Sequence, residues 1–332
     1  MIETGFMKKK IWVSRRLPES VMELLEKNFE VDCNPRDRGL SREELLVMVK
    51  GRDGLLPLLT DRIDHEVMEA AGGQLRVIAN YAVGFNNIDV PAATARKIAV
   101  SNTPGVLTDT TADLTMALIL GVARRLVAAD TYTRAGKYEG WAPLLFLGAD
   151  VHHKTLGLMG FGRIGYAVAK RARGFDLRIL YHDTRRADPE LEKQVQAQYV
   201  DRDTLLREAD FVSIHVPLTP ETTRFMSTRE FSLMKPTAFI VNTARGEVID
   251  EEALVEALKK GQIGGAGLDV FEQEPAIHPA LFSLNNVILL PHNGSGSVET
   301  RTKMGLMAAE NLIAAFEGKI PPNCLNPEVY NP

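Results

Sequence analysis

Cysteine is nearly missing from this chain: Cys33 and Cys324 are its only two, near opposite ends of 332 residues. With no CxxC spacing, the sequence argues against a disulfide framework or a thiolate metal site, and for reduced thiols in a cytoplasmic protein. An excess of either charge is also missing, since 39 Lys and Arg face 43 Asp and Glu. That balance gives no broad basic surface for nucleic acid, and a small anionic substrate would have to be drawn by local arginines. Long hydrophobic runs are absent too. The longest, Leu114 to Ala123, is closed by Arg124-Arg125 and is too short to span a bilayer. Lys8, Lys9 and Lys10 are followed by a mixed stretch without the apolar centre of a signal peptide. The pair His152-His153 has no carboxylate or thiolate cluster beside it and reads as an exposed loop, so no metal is expected.

What is present is an ordinary globular composition, 45% hydrophobic and 25% charged, on a chain long enough for two domains. Strand-length apolar runs at 11–13, 29–33, 54–59, 75–79 and 98–101 alternate with helix patterns at 18–28, 41–50, 64–71 and 91–97. Ser41 and Asp64 are good N-cap residues for two of those helices. Such alternation predicts a parallel sheet covered on both faces. A helical stretch then runs from Thr108 to Gly136, read as one long helix. A second alternation begins at Thr155, with apolar runs at 211–215, 238–242, 264–269 and 287–290. A last helix pattern, Val298 to Phe316, ends at Gly318.

The densest signal is Gly160-Phe161-Gly162-Arg163-Ile164-Gly165. It follows the run Thr155 to Met159 and opens a helix pattern from Ile164 to Phe175. A second run, Leu177 to Tyr181, comes next, and Asp183 stands just past its end. Strand, glycine turn, helix, strand and acid is the order a dinucleotide needs. The first glycine permits the turn, the second admits the pyrophosphate, and the third lets helix and strand pack closely. The helix N-terminus offers free N–H groups to the phosphates. A bare GxGxxG also serves structural bends and S-adenosylmethionine sites; the surrounding unit is what makes this one specific.

The predicted fold is α/β, with two doubly wound parallel-sheet domains. A Rossmann nucleotide-binding domain over 103–295 is inserted in a flavodoxin-like substrate domain formed by 1–102 and 296–332. The ligand crevice is expected at the carboxyl ends of the strands, between the domains. Three loops at successive strand ends carry reactive side chains: Asn242 to Gly246 with Arg245, Gly267 to Pro275 with Glu274, and Pro291-His292. Arginine holds a carboxylate through two parallel charge-assisted hydrogen bonds. Histidine exchanges a proton near neutral pH, and a carboxylate fixes its tautomer. Any one of the three alone reads as a surface ion pair or a structural group; together they form a catalytic set.

These loops resemble those of the D-isomer-specific 2-hydroxyacid dehydrogenases, particularly the glyoxylate/hydroxypyruvate reductases. Asn80 to Asp89, Asn102 to Thr108, Val216 to Thr222, Phe146-Leu147-Gly148 and Ile320-Pro321-Pro322 carry the resemblance further, over nearly the whole chain. It implies that Arg245 binds the substrate carboxylate and carbonyl, that His292 is the acid/base, and that Glu274 pairs with His292. Val83 and Gly84 would offer backbone N–H groups to the same carboxylate. Thr108 and the whole turn Gly160, Phe161, Gly162, Arg163, Ile164 and Gly165 would line the cofactor. So would Asp183, Thr184, Arg185, Val216, Pro217 and Thr222, and further along Thr243, Ala244, Arg245, Asp269, His292 and Gly294. The resemblance also implies a homodimer, in which Trp141 sits in an arm reaching the partner's substrate site. The implied activity is NAD(P)H-dependent reduction of a small 2-oxoacid, glyoxylate or hydroxypyruvate. Phosphite, formate and 3-phosphoglycerate dehydrogenases and an NAD-sensing corepressor are the alternatives.

The chain departs from the family pattern at Asn293, where an aliphatic residue is usual, at Gly296-Ser297, where Ala-Thr is usual, and at Asn86, where aspartate is usual. For the cofactor, Asp183 favours NAD(H) because a carboxylate repels a 2′-phosphate, whereas Arg185 and Arg186 would accommodate NADP(H). His215, at a strand end, is expected to be structural or to line the cofactor pocket.

Overall fold

The computed structural model describes residues 8–36 and 38–330. They fall into two compact units, one running to Leu107 and resuming at Gly296, the other Thr108–Ser295. The first unit alternates β1 (Lys10–Val13), α1 (Glu19–Asn28), β2 (Glu30–Cys33), α2 (Arg42–Met48), β3 (Gly54–Leu56), α3 (His65–Ala71), β4 (Val77–Ala79), α4 (Val90–Ala95) and β5 (Ala99–Ser101). Its strands lie in the order β2-β1-β3-β4-β5, all parallel, which is the flavodoxin-like arrangement.

Both faces of β3, β4 and β5, and of β1 beyond Lys10, are buried, while the edge strand β2 is only exposed or half-buried. Successive residues feed opposite faces. Ile11, Val13, Leu56, Val77 and Ala79 pack with α1 and the C-terminal helix Val298–Phe316. Trp12, Leu55, Ile78 and Val100 pack under α2, α3 and α4 on the other side. Burial on both faces is why these strands read as unbroken apolar runs. Helix starts follow their caps: Ser41 and Glu44 form a capping box, and Asp64 and Asp89 accept from backbone N–H groups of the first turn. The C-terminal helix returns to this unit through Met304, Ala308, Ala309 and Leu312, and it can lie close to α1 because Gly305 has no side chain. A Cβ there would stand 2.6 Å from Val21.

The second unit begins with α5 (Thr108–Ala123) and α6 (Leu126–Arg134). It continues with β6 (Thr155–Met159), α7 (Arg163–Ala172), β7 (Arg178–His182), α8 (Pro189–Val195), β8 (Ala197–Tyr199), α9 (Arg202–Glu208) and β9 (Phe211–Ile214). The chain then forms α10 (Thr228–Leu233), β10 (Phe239–Asn242), α11 (Glu251–Lys259), β11 (Gly265–Leu268) and β12 (Val287–Leu289). The order β12-β11-β10-β9-β6-β7-β8 is again wholly parallel. Strand order reverses between β6 and β9, the Rossmann switch point at which a nucleotide binds.

The expected single helix from Thr108 to Gly136 is in fact two. Arg125 takes a left-handed backbone, φ 52°, and separates the buried α5 from α6, which carries no buried side chain among those described. The returning chain explains the break. Ala149 N–H donates to Ala123 O at 2.9 Å, and a Cβ on Gly148 would lie 2.3 Å from that oxygen. A crossing segment therefore takes the place of the next helical turn. Strands β3 and β4 are also shorter than their apolar runs. Pro57 leaves the ladder and gives its carbonyl to Tyr81 N–H instead, and Leu75 is held in a turn by Gly72 O.

Candidate active site

At the carboxyl end of β6, an inner strand of the second unit's sheet, the three glycines of the turn do different work. Gly160 has φ 92°, and a Cβ there would lie 2.7 Å from the His215 carbonyl, so it permits both the turn and the close approach of β9. A Cβ on Gly165 would lie 2.3 Å from Gly160 O. Around Gly162, by contrast, there is open space, and α7 starts there with no side-chain cap. The first N–H groups of α7 are therefore left for a ligand, with Gly162 and Arg163 exposed and Ile164 half-buried. Phe161 is buried and stacks on Tyr181 at 4.1 Å.

Asp183 follows β7 and is tied into this turn. Its Oδ2 accepts from Phe161 N–H at 2.7 Å and its Oδ1 from Thr184 N–H at 2.7 Å. Arg186, one of the two adjacent arginines, is committed elsewhere: its Nε and Nη2 donate to the Glu192 carboxylate at 2.9 and 2.8 Å. Arg185 is exposed.

The loops after β9, β10, β11 and β12 complete the mouth of the sheet. Val216 and Pro217 follow β9 beside Gly160, and Thr222 staples its own loop by donating to Pro217 O at 2.6 Å. His215 is fixed by Ser213, Nε2 to Oγ 2.9 Å, and burial pushes its imidazole down to about 3. It is thus a neutral group, hydrogen-bonded to Ser213. After β10, Asn242 bridges its loop, donating to Arg245 O at 2.9 Å and accepting from Ala244 N–H at 3.0 Å. Gly246 lets this loop lie directly on the next one, since a Cβ would fall 1.9 Å from the Phe271 carbonyl carbon.

That contact sets Arg245 beside Glu274. Arg245 is half-buried and donates to Ala244 O at 2.7 Å. Burial lowers its pKa, while the nearby Glu247 and Glu274 charges oppose the shift. Glu274 Oε2 is 2.9 Å from His292 Nδ1, and its Oε1 accepts from Phe271 N–H at 3.1 Å. Burial pushes the Glu274 carboxyl up, but the His292 hydrogen bond and charge, the Phe271 N–H and the Arg245 charge outweigh it. The group ends below its ordinary 4.5. Because a carboxylate only accepts, His292 Nδ1 carries the proton toward Glu274.

Asp269, after β11, holds the histidine loop. Its carbonyl accepts from His292 N–H at 2.8 Å and its Oδ1 from Asn293 N–H at 2.6 Å. This clamp holds His292 in a left-handed conformation, φ 56°, that a non-glycine residue seldom adopts. Asp269 Oδ2 is buried without a hydrogen-bond partner, and burial raises the carboxyl's pKa. An orphaned acceptor here, open space at Gly162 and uncapped N–H groups on α7 together fit a ligand with phosphates at one end and an amide donor at the other. A nicotinamide dinucleotide is such a ligand.

Two supporting residues escaped the sequence reading. Thr111 Oγ1 donates to Gly294 O at 3.2 Å, and Thr115 Oγ1 meets Thr243 Oγ1 at 2.9 Å. They lie one turn apart on the buried face of α5, and hydroxyls at that spacing within an apolar face are the signal that marks them. Thr108 begins the same helix. Val83 and Gly84 belong to the first unit, on the loop after β4. Trp141 is 83% exposed, in a segment that also exposes Tyr138, Leu144 and Leu147. Among the described residues no cluster of metal-ligating side chains forms, and no helix is long and apolar enough to cross a membrane.

The family model described as D-isomer specific 2-hydroxyacid dehydrogenase, NAD binding domain, matches residues 116–294. Among curated proteins, glyoxylate reductase of Thermococcus litoralis is 50% identical over 327 residues, covering 97% of this chain and 98% of its own. Glyoxylate reductase of Korarchaeum cryptofilum is 52% identical over 326 residues, covering 97% of each. Among solved structures, the NADPH-dependent glyoxylate/hydroxypyruvate reductase of Sinorhizobium meliloti, in complex with NADP and malonate, superposes with a TM-score of 0.84. It is 32% identical and covers 96% of this chain and 97% of its own.

Proposed function

The chain belongs to the D-isomer-specific 2-hydroxyacid dehydrogenases, and from that we propose that it reduces a small 2-oxoacid, glyoxylate or hydroxypyruvate, to the 2-hydroxy acid. It is an NAD(P)-dependent oxidoreductase. The Glu274–His292 hydrogen bond, with the Arg245 charge close by, is the observation that carries the reading.

In this reading the Thr108–Ser295 unit binds the nucleotide and the other unit serves the substrate. The α7 N-terminus would hold the pyrophosphate, Asp183 the adenosine ribose, and Asp269 Oδ2 the carboxamide. When bound, the reduced nicotinamide supplies the hydride that adds to the carbonyl carbon. Arg245 holds the substrate carboxylate through parallel N–H groups and orients the carbonyl. His292, protonated on both nitrogens, gives the Nε2 proton to the carbonyl oxygen as the carbon is reduced, and is left as neutral imidazole. Glu274 keeps the ring in place and stabilises the imidazolium before transfer. For the first unit, the proposal assigns the backbone N–H groups of Val83 and Gly84 to the substrate carboxylate.

NAD(H) is the cofactor we favour over NADP(H). The Asp183 carboxylate faces the turn, and Arg186 is already paired with Glu192. We also propose a homodimer, supported by the exposure of Tyr138 (57%), Trp141 (83%), Leu144 (80%) and Leu147 (62%). Light scattering that finds a monomer at working concentration removes this proposal. Both cysteines are free, which supports a cytoplasmic location.

The test of function is NADH and NADPH oxidation against a panel of glyoxylate, hydroxypyruvate and pyruvate. The highest kcat/KM is expected for one of the first two with NADH; no turnover of any 2-oxoacid overturns the reading.

A further inference from the structure

The loop after β4 is held from inside the first unit in a way that dictates where its N–H groups point. Thr103 N–H donates to Ala82 O at 2.9 Å, Asn102 Nδ2 to Val83 O at 2.7 Å, and Asn80 Nδ2 to Gly84 O at 2.9 Å. A trans peptide sets its N–H antiparallel to its C=O. Anchoring three successive carbonyls therefore turns the N–H groups of Val83, Gly84 and Phe85 away from their anchors. None of these three N–H groups has a hydrogen-bond partner among the described residues.

The anchors are themselves anchored. Asn80 and Asn87 exchange two side-chain hydrogen bonds, 3.2 and 3.1 Å, and Asn87 Nδ2 also reaches Leu58 O at 3.1 Å. Behind Asn102 stands Asn311 of the C-terminal helix, whose Nδ2 donates to Asn102 O at 3.2 Å. Its Oδ1 accepts from Asn323 N–H at 3.1 Å, and Asn102 N–H donates to Asn323 O at 3.3 Å. Asn80, Asn102 and Asn311 are all buried. A carboxamide suits such a chain because it donates and accepts at once, so it can hold a carbonyl while being held; a carboxylate only accepts.

We propose that Asn102 and Asn80 are positioning residues for the substrate: by fixing the carbonyls of Val83 and Gly84 they aim the loop's N–H groups at the 2-oxoacid carboxylate. This rests on the functional reading above, in which Val83 and Gly84 meet that carboxylate. Neither asparagine needs to touch the substrate. Their effect is on how well an anion is held, so it belongs to KM and to inhibitor binding rather than to the chemical step.

The test compares wild type with Asn102→Ala, Asn102→Asp and Asn80→Ala. It measures the glyoxylate KM and kcat, the Ki of oxalate as an unreactive anion, the NADH Kd and the Tm. The expected result is a rise of about tenfold in both KM and Ki, as misaimed charge-assisted contacts would give. The fall in kcat should be smaller and the NADH Kd unchanged. Asn102→Asp keeps the side-chain shape but loses the donor, so it should be at least as damaging as the alanine. Variants with a lower Tm but unaltered KM and Ki would overturn the proposal, leaving the asparagines a purely structural role. If neither Asn102 variant folds, Asn80→Ala decides by the same criterion. A wild type that reduces no 2-oxoacid would overturn the functional reading, and this proposal with it.

Discussion

Glu274 Oε2 lies 2.9 Å from His292 Nδ1, a carboxylate reaching an imidazole across a separation of 18 residues. The bond assigns the ring its orientation: Nδ1–H is occupied, and Nε2 is the nitrogen left for a reacting oxygen. Asp269 adds a second constraint by clamping the backbone on both sides of the ring.

Removing the proton donor should separate chemistry from binding. His292→Ala is expected to lower kcat by about 10²- to 10⁴-fold, the usual size of a general acid's contribution, with the NADH Kd unchanged. Arg245→Lys keeps the charge but loses the parallel N–H groups, so the loss should fall mainly on kcat/KM for the 2-oxoacid. Stopped-flow and steady-state assays with NADH check both; near-normal turnover by His292→Ala would falsify the acid/base assignment.

Gly246→Ala tests the stacking of the Arg245 loop on the Glu274 loop. The new Cβ would stand 1.9 Å from the Phe271 carbonyl carbon, so one backbone must move. Because the obstacle is backbone, a cost of about 3 kcal/mol or more is expected, together with loss of activity. Urea unfolding measures the first and the oxidation assay the second; a variant as stable and active as wild type would show that the loops are not held in contact.

Asp183 sets cofactor choice in the proposed reading. Asp183→Ser removes the charge that repels a 2′-phosphate and leaves Arg185 close by. The NADPH-to-NADH ratio of kcat/KM should rise about tenfold or more, equal to about 1.4 kcal/mol. Absolute NADH use should also fall, since Phe161 N–H loses its acceptor. An unchanged ratio would move the determinant elsewhere.

His215 makes stability depend on acidity. Its folded-state pKa is pushed from 6.5 to about 3 by burial. The unfolded chain therefore takes up this proton as pH falls below about 6.5, whereas the folded chain does so only near 3. The contribution is complete above the unfolded value and is lost progressively between the two as the solution is acidified. Wild-type Tm should fall more steeply over that window than the Tm of His215→Asn. Parallel curves would show that another group governs the acid limb.

Much of this was legible in the residues because it is local. The glycine turn carries its three glycines at fixed spacing, the apolar runs of the inner strands follow from burial on two faces, and Ser41, Asp64 and Gly318 mark helix ends. Arg245, Glu274 and His292 were found because each follows a strand-like run in one parallel sheet, and such a sheet gathers its strand ends at one edge. The short half-exposed strand β8, with the sequence Ala-Gln-Tyr, left no apolar run to read.

What the sequence alone determined was the list of parts: two parallel sheets, a dinucleotide turn, and an arginine, a carboxylate and a histidine on loops. The tertiary structure decided their relations. It broke the helix at Arg125, because a crossing segment captures the Ala123 carbonyl. It paired Arg186 with Glu192, orphaned Asp269 Oδ2, and tied Asn311 to Asn102 across the sequence. The division has a physical cause. Backbone propensity and burial period act over a few neighbours and leave a trace in the order of residues, whereas a hydrogen bond between distant side chains exists only once packing has set both partners in place.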